Sequence, residues 1–173
     1  MDKSIGGILK RKGDVDFSLL LKFMKESGIR FENRRLRDVY GIATYHTIYL
    51  DVEKLVNDFN TNMIWHIILH EIAHFKRIKK IGKDNVIKML SSEDFDEFCN
   101  HIIGEEIIAD RYSCFVYYIF NKETFPKEAT QQLENPLNKI RYRNIIKGLF
   151  GVIKNDEENY KKILESYIVD ELQ

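Results

Sequence analysis

Residues 65–76 read WHIILHEIAHFK, and this run limits the possible folds more than any other part of the chain. Its flanks are apolar enough for a core helix, yet it carries His66, His70, Glu71 and His74. Burying three imidazoles and a carboxylate is costly unless something compensates them. On a helix, residues four apart differ by about 40° in azimuth and about 6 Å in height. His70 and His74 therefore project from one face and can share one metal ion. Glu71 is rotated about 100° from His70, so it lies beside such an ion rather than among its ligands. That is the place of a general base acting on a water. The plainer reading, a helix with surface histidines, fits poorly with flanks so apolar. His66, one turn before His70, can stand behind a ligand, but reads more simply as a packed, hydrogen-bonded histidine.

A catalytic zinc ion takes three protein ligands and keeps one position open. The sequence GEEIIADRYS at 104–113 offers the third. Glu106 and Asp110 stand four apart, so on a helix they share a face. Glu106 can bind the ion, and Asp110 can accept the N–H of a ligating imidazole and fix its tautomer. Ala109 is small enough to let two helices approach closely. Glu105, His101 and Asp110 itself stay open as alternative ligands, and a solvated acidic patch is the plain reading of the Glu105–Glu106 pair. Hydrolysis also needs a donor for the developing oxyanion. Tyr112, Tyr117, His101, His46 and Arg141 are candidates, and the sequence does not choose among them.

The rest of the chain places these segments. Helices are expected over 16–27, stopped by Gly28, and over 52–59, capped by Asp51. A helix over 63–81, ended by Gly82, carries the histidines. A long helix over 92–121, capped by Ser91 or Ser92, carries Glu106. Phe95, Phe98, Ile102, Ala109, Val116 and Phe120 keep helical spacing along it. Pro126 suits the first turn of another helix, and 137–153 and 156–172 look like two more. The β-branched and aromatic run 45–50 reads as a strand, 35–40 as a weaker one, with a turn near Gly41. The expected class is α+β, mostly helical, in one domain over 1–173. Its core covers about 29–121, followed by a C-terminal helical extension over about 126–173.

Composition narrows the functions. Hydrophobic residues are 44% and charged residues 31% of 173, enough for a packed core. Formal net charge is zero, which argues against nucleic acid as a direct partner. Cys99 and Cys114 are too few for a disulfide scaffold, and on one helix they stand about 22 Å apart. A reduced, cytoplasmic protein is expected. The N-terminus shows no apolar signal region, and the richest apolar stretch, 102–120, is interrupted by Glu105, Glu106, Asp110 and Arg111, so no membrane span is expected.

HEIAH followed by E-x-x-A-D resembles the gluzincin metallopeptidases: thermolysin, the HtpX-type peptidases and the ImmA/IrrE-type peptidases of phage and mobile elements. The resemblance implies a zincin-like fold. A small N-terminal sheet would pack on the HExxH helix and on a long third-ligand helix. It implies Zn2+ held by His70, His74 and Glu106, water activation by Glu71, and Asp110 supporting a ligand. EEIIADRY is most similar to the HtpX-type version, although this chain lacks that family's membrane helices, and soluble minimal gluzincins fit better. In such folds a strand ahead of the active helix is a sheet edge along which a peptide pairs, here 47–50. NPLNKIR at 135–141 is similar to a histidine–proline motif followed by arginine, with Asn135 in place of the histidine. The specific motifs cover only about 65–112.

Two functions from different classes follow. The first is a soluble zinc metallopeptidase acting on a protein or peptide. The second is a non-catalytic assembly component, of a phage virion or mobile element, whose metal is a staple or a vestige. A third reading, a peptidase directed at a DNA-bound regulator, follows from the ImmA/IrrE resemblance; no DNA-binding motif is visible in this chain.

Overall fold

A computed structural model describes residues 3–10, 17–37, 39–124, 130 and 132–155. It is mostly helical with one small mixed sheet, an α+β arrangement. The order is α1 (Lys3–Lys10), α2 (Ser18–Glu26), β1 (Arg30–Asn33), β2 (Gly41–Ala43), β3 (Thr47–Leu50), α3 (Val52–Asp58), α4 (Thr61–Ile81), α5 (Lys83–Leu90), α6 (Phe95–Asn121) and α7 (Pro136–Asn155). Among the described residues no helix is long and apolar enough to cross a membrane.

Local chemistry sets most boundaries. Gly28 takes φ 68°, the left-handed conformation that turns the chain from α2 into β1. Asp51 caps α3 by accepting from Lys54 N–H, and its other oxygen accepts from Leu36 N–H. Asn60 caps α4 through Met63 N–H. The long helix α6 starts later than the sequence suggests. Asp94, not Ser91 or Ser92, caps α6 through Glu97 N–H. The separate helix α5 precedes it, and none of α5 is fully buried. Such a weakly buried stripe leaves little periodic signal. The helices expected around Pro126 and over 156–172 lie outside the described residues.

The sheet corrects three expectations. Its order is β1-β3-β2, with β1 parallel and β2 antiparallel to β3. Thr47–Leu50 is therefore the central strand and not an edge, and all four of its residues are buried. The described residues of 35–40 form no strand; Leu36 is instead tied to Asp51. Gly41 sits in β2 rather than in a turn. Thr44 closes the turn, its hydroxyl donating to Thr47 O and accepting from Thr47 N–H, so no glycine is needed there.

Two apolar clusters hold the chain. The first joins α1 and α2 (Ile5, Leu9, Leu20, Met24) to β1 and β3 (Phe31, Ile48, Leu50), to the buried face of α4 (Ile64, Ile68, Leu69, Ile72), and to Val116 and Tyr117 of α6. The second joins Phe98, Cys99 and Ile103 of α6 to Leu133 and to Ile146 of α7. α6 takes part in both. The stretch between its two buried ends faces α4.

Candidate metal centre

α4 and α6 lie side by side and run in opposite directions, because their polar pairs form a descending ladder. Asn62 accepts from the Tyr117 hydroxyl at 2.8 Å. His66 Nδ1 meets Ser113 Oγ at 2.7 Å. His70 Nδ1 meets Asp110 Oδ1 at 3.0 Å. Arg77 donates twice to Glu105, at 2.9 and 2.6 Å. Each step up α4 is a step down α6, with residues three or four apart sharing a face.

At the middle of the ladder three side chains converge. His70 Nε2 and His74 Nε2 are 3.0 Å apart. Glu106 Oε2 lies 3.4 Å from His70 Nε2, and its Oε1 lies 3.3 Å from His74 Nε2. A tetrahedral ion with bonds of about 2.0–2.1 Å sets its ligands about 3.3–3.4 Å apart. The donor set therefore has the size and chemistry of a divalent-cation site. Because Asp110 occupies Nδ1 of His70, the Nε2 electron pair points at the common centre, where a proton or a cation must meet it. Burial works against a charged His70, but its bonds to Asp110 and Glu106 prevail and hold its pKa up to about 10. Burial alone would raise Glu106, yet its two imidazole partners hold it well below the usual carboxylate range. Asp110 is likewise resisted by burial and drawn down to about 2 by His66 and His70.

A second group, His66, His70 and Asp110, also brings ligand atoms within 4.8 Å of one another. Its nitrogens already face oxygens. His66 Nδ1 faces Ser113, while His66 Nε2, at 3.3 Å, and His70 Nδ1, at 3.0 Å, both face Asp110 Oδ1. His66 and Asp110 are buried. Hydrogen bonding explains this group, whereas the His70–His74–Glu106 group opens on a cavity of about 650 Å³.

Glu71 lines the same cavity. Burial raises its pKa, with His74 and His70 pulling the other way, and the backbone N–H of Ala43 donates to it. The strand explains that bond. Asp51 N–H donates to Tyr40 O and Thr44 N–H to Thr47 O, so alternate residues Tyr40, Ile42 and Thr44 face β3. Gly41 and Ala43 turn their backbone groups to the open edge. The carboxylate approaches so closely that a Cβ on Gly41 would stand 2.6 Å from Glu71 Cγ. Gly41 is there because no side chain fits. No sequence signal marks this contact, since it depends on which strand lies beside α4.

The other site residues sort clearly. Glu105 lines the same cavity and is held by Arg77. His101 lines the cavity. Tyr112 and Arg141 do not: the Tyr112 hydroxyl accepts from Lys76 at 2.7 Å, and Arg141 is exposed on α7. Tyr117 is spent on Asn62, and His46 is exposed in the hairpin turn. Cys99 and Cys114 are both free.

No model of a known protein family, no curated protein and no solved structure matches the chain. The functional reading therefore rests on the site alone.

Proposed function

We propose that the chain is a zinc-dependent peptidase of zincin-like build, with His70, His74 and Glu106 as ligands and Glu71 as general base. The observation that carries the reading is the meeting of two imidazole nitrogens and both oxygens of one carboxylate, from two helices, at 3.0–3.4 Å, with Glu71 beside them in a cavity. Zinc, when bound, supplies a Lewis acid for a carbonyl oxygen and makes a water more acidic. Glu71 takes that water's proton and returns it to the departing amine, and its raised pKa suits a group that must do both. Asp110 keeps the tautomer of His70 that leaves Nε2 free to ligate. The edge of β2, rather than β3, receives an extended peptide, pairing through the outward groups of Gly41 and the carbonyl of Ala43, whose N–H is held by Glu71. His101 is the cavity residue best suited to meet the oxyanion. Two free thiols accord with a reducing, cytoplasmic setting.

Glu71→Gln is the test. Zinc content stays at one per chain while hydrolysis of a peptide library falls at least about 10³-fold, the scale on which loss of a catalytic proton carrier is felt. Cleavage at the parent rate removes Glu71 from this role.

One observation favours a second reading, a metal-stapled assembly component. Phe115, Tyr118 and Ile119 are exposed on α6, with Phe115 63% accessible, as in a surface that meets other proteins of a phage or mobile element. In that case Glu71→Gln leaves the biological function intact.

A further inference from the structure

The ladder between α4 and α6 contains a buried polar chain that the peptidase reading does not use. Ser113, wholly buried, places Oγ 2.7 Å from His66 Nδ1 and 2.9 Å from Asp110 O. His66, also buried, places Nε2 3.3 Å from Asp110 Oδ1. The same oxygen is 3.0 Å from His70 Nδ1. Four side chains thus run from the interior to a ligand nitrogen.

We propose that His66 and Ser113 are positioning residues for the metal ligand His70, acting through Asp110. The proposal rests on the reading of His70, His74 and Glu106 as zinc ligands. Its logic is one of proton placement. Ser113 has one hydroxyl proton and two acceptors in reach, His66 Nδ1 at 2.7 Å and Asp110 O at 2.9 Å; given to the nearer one, it leaves His66 with its own proton on Nε2, aimed at Asp110. Asp110 then accepts two N–H bonds at one oxygen, from His66 and His70. A carboxylate held by two donors stays ionised and oriented. His70 must then keep its proton on Nδ1, and its Nε2 faces the ion. Without His66, Asp110 loses one of the donors that hold it against His70. Groups behind a ligating histidine commonly set about 10–100-fold in metal affinity.

The experiment measures zinc affinity by competition with a chromophoric chelator, with thermal melts of the chelator-stripped protein alongside. His66→Phe keeps an aromatic ring and removes both nitrogens. It weakens zinc binding about 10–100-fold. His66→Gln restores a donor toward Asp110 and recovers most of that loss. Ser113→Ala weakens binding less, and adds nothing when combined with His66→Phe, because both act along one chain. If His66→Phe does not fold, Ser113→Ala and His66→Gln carry the test between them. Variants that melt lower yet bind zinc like the parent give these residues a packing role only and overturn the proposal. So does a Ser113→Ala effect that adds in full to that of His66→Phe, or a parent that binds two zinc ions. Parent binding of one zinc with unchanged variants leaves the peptidase reading standing. A parent that binds no zinc overturns both.

Discussion

Gly41 and Glu71 show how much a single residue can decide at this site. The carboxylate reaches its place because position 41 has no Cβ and because Ala43 offers a backbone N–H. Gly41→Ala forces Glu71 off β2 by steric contact. The expected outcome is zinc affinity within about twofold of the parent and peptide hydrolysis about 10²-fold slower, the cost of displacing a reacting group by about 1 Å. Parallel loss of zinc and activity contradicts it. The protonation of His70 makes a second expectation. A ligating imidazole must be neutral, whereas His70 free of metal keeps a proton until about pH 10. Zinc uptake at pH 8 therefore releases a proton, and affinity rises by up to about tenfold per pH unit toward 10. Calorimetry in buffers of different ionisation enthalpy measures the release. In chelator-stripped protein the raised pKa of His70 stabilises the fold in full below 6.5 and fades as pH climbs through about 10. Asp110 acts in the opposite sense, with its share complete above 3.8 and lost as pH falls through about 2. The spacing of His70, Glu71, His74, Glu106 and Asp110 was readable because helical periodicity fixes which side chains share a face. The parts of Gly41 and Arg77 were not, since each depends on a neighbour distant in sequence.

At the level of elements, α4 and α6 were the most legible, being long, apolar on one face and each ended by polar or glycine residues. Their boundaries were less so. Three residues, Ser91, Ser92 and Asp94, compete for the start of α6, and only the backbone path decides. Asp94 accepts from Glu97 N–H at 2.9 Å, while Ser92 reaches the Glu97 side chain at 2.6 Å. Asp94→Ala should therefore cost about 1 kcal/mol in urea unfolding, and Ser92→Ala less. Equal costs dispute the cap. The sheet was least legible. A four-residue strand buried on both faces looks the same from its sequence whether it lies in the centre or at the edge, and β2 has only three residues. The consequence bears on the proposed function, under which a peptide would pair along β2 and not β3.

For the molecule as a whole, zero net charge on 173 residues leaves no basic surplus, so the polar chemistry is concentrated between two helices. The chain fold around them was legible only as a class. The two apolar clusters, and the way α6 belongs to both, arise from contacts between segments far apart in sequence, which composition and periodicity do not carry. One outcome of this arrangement concerns motion. In the proposed zinc site the donor atoms come from α4 and α6, so any breathing that parts these helices would first have to expel the ion. Amide hydrogen exchange along both helices should then slow together as free zinc rises, while α1, which supplies no ligand, keeps its own rate wherever it opens independently. A metal that slowed exchange in α4 alone would be held by one helix and would not bridge the pair.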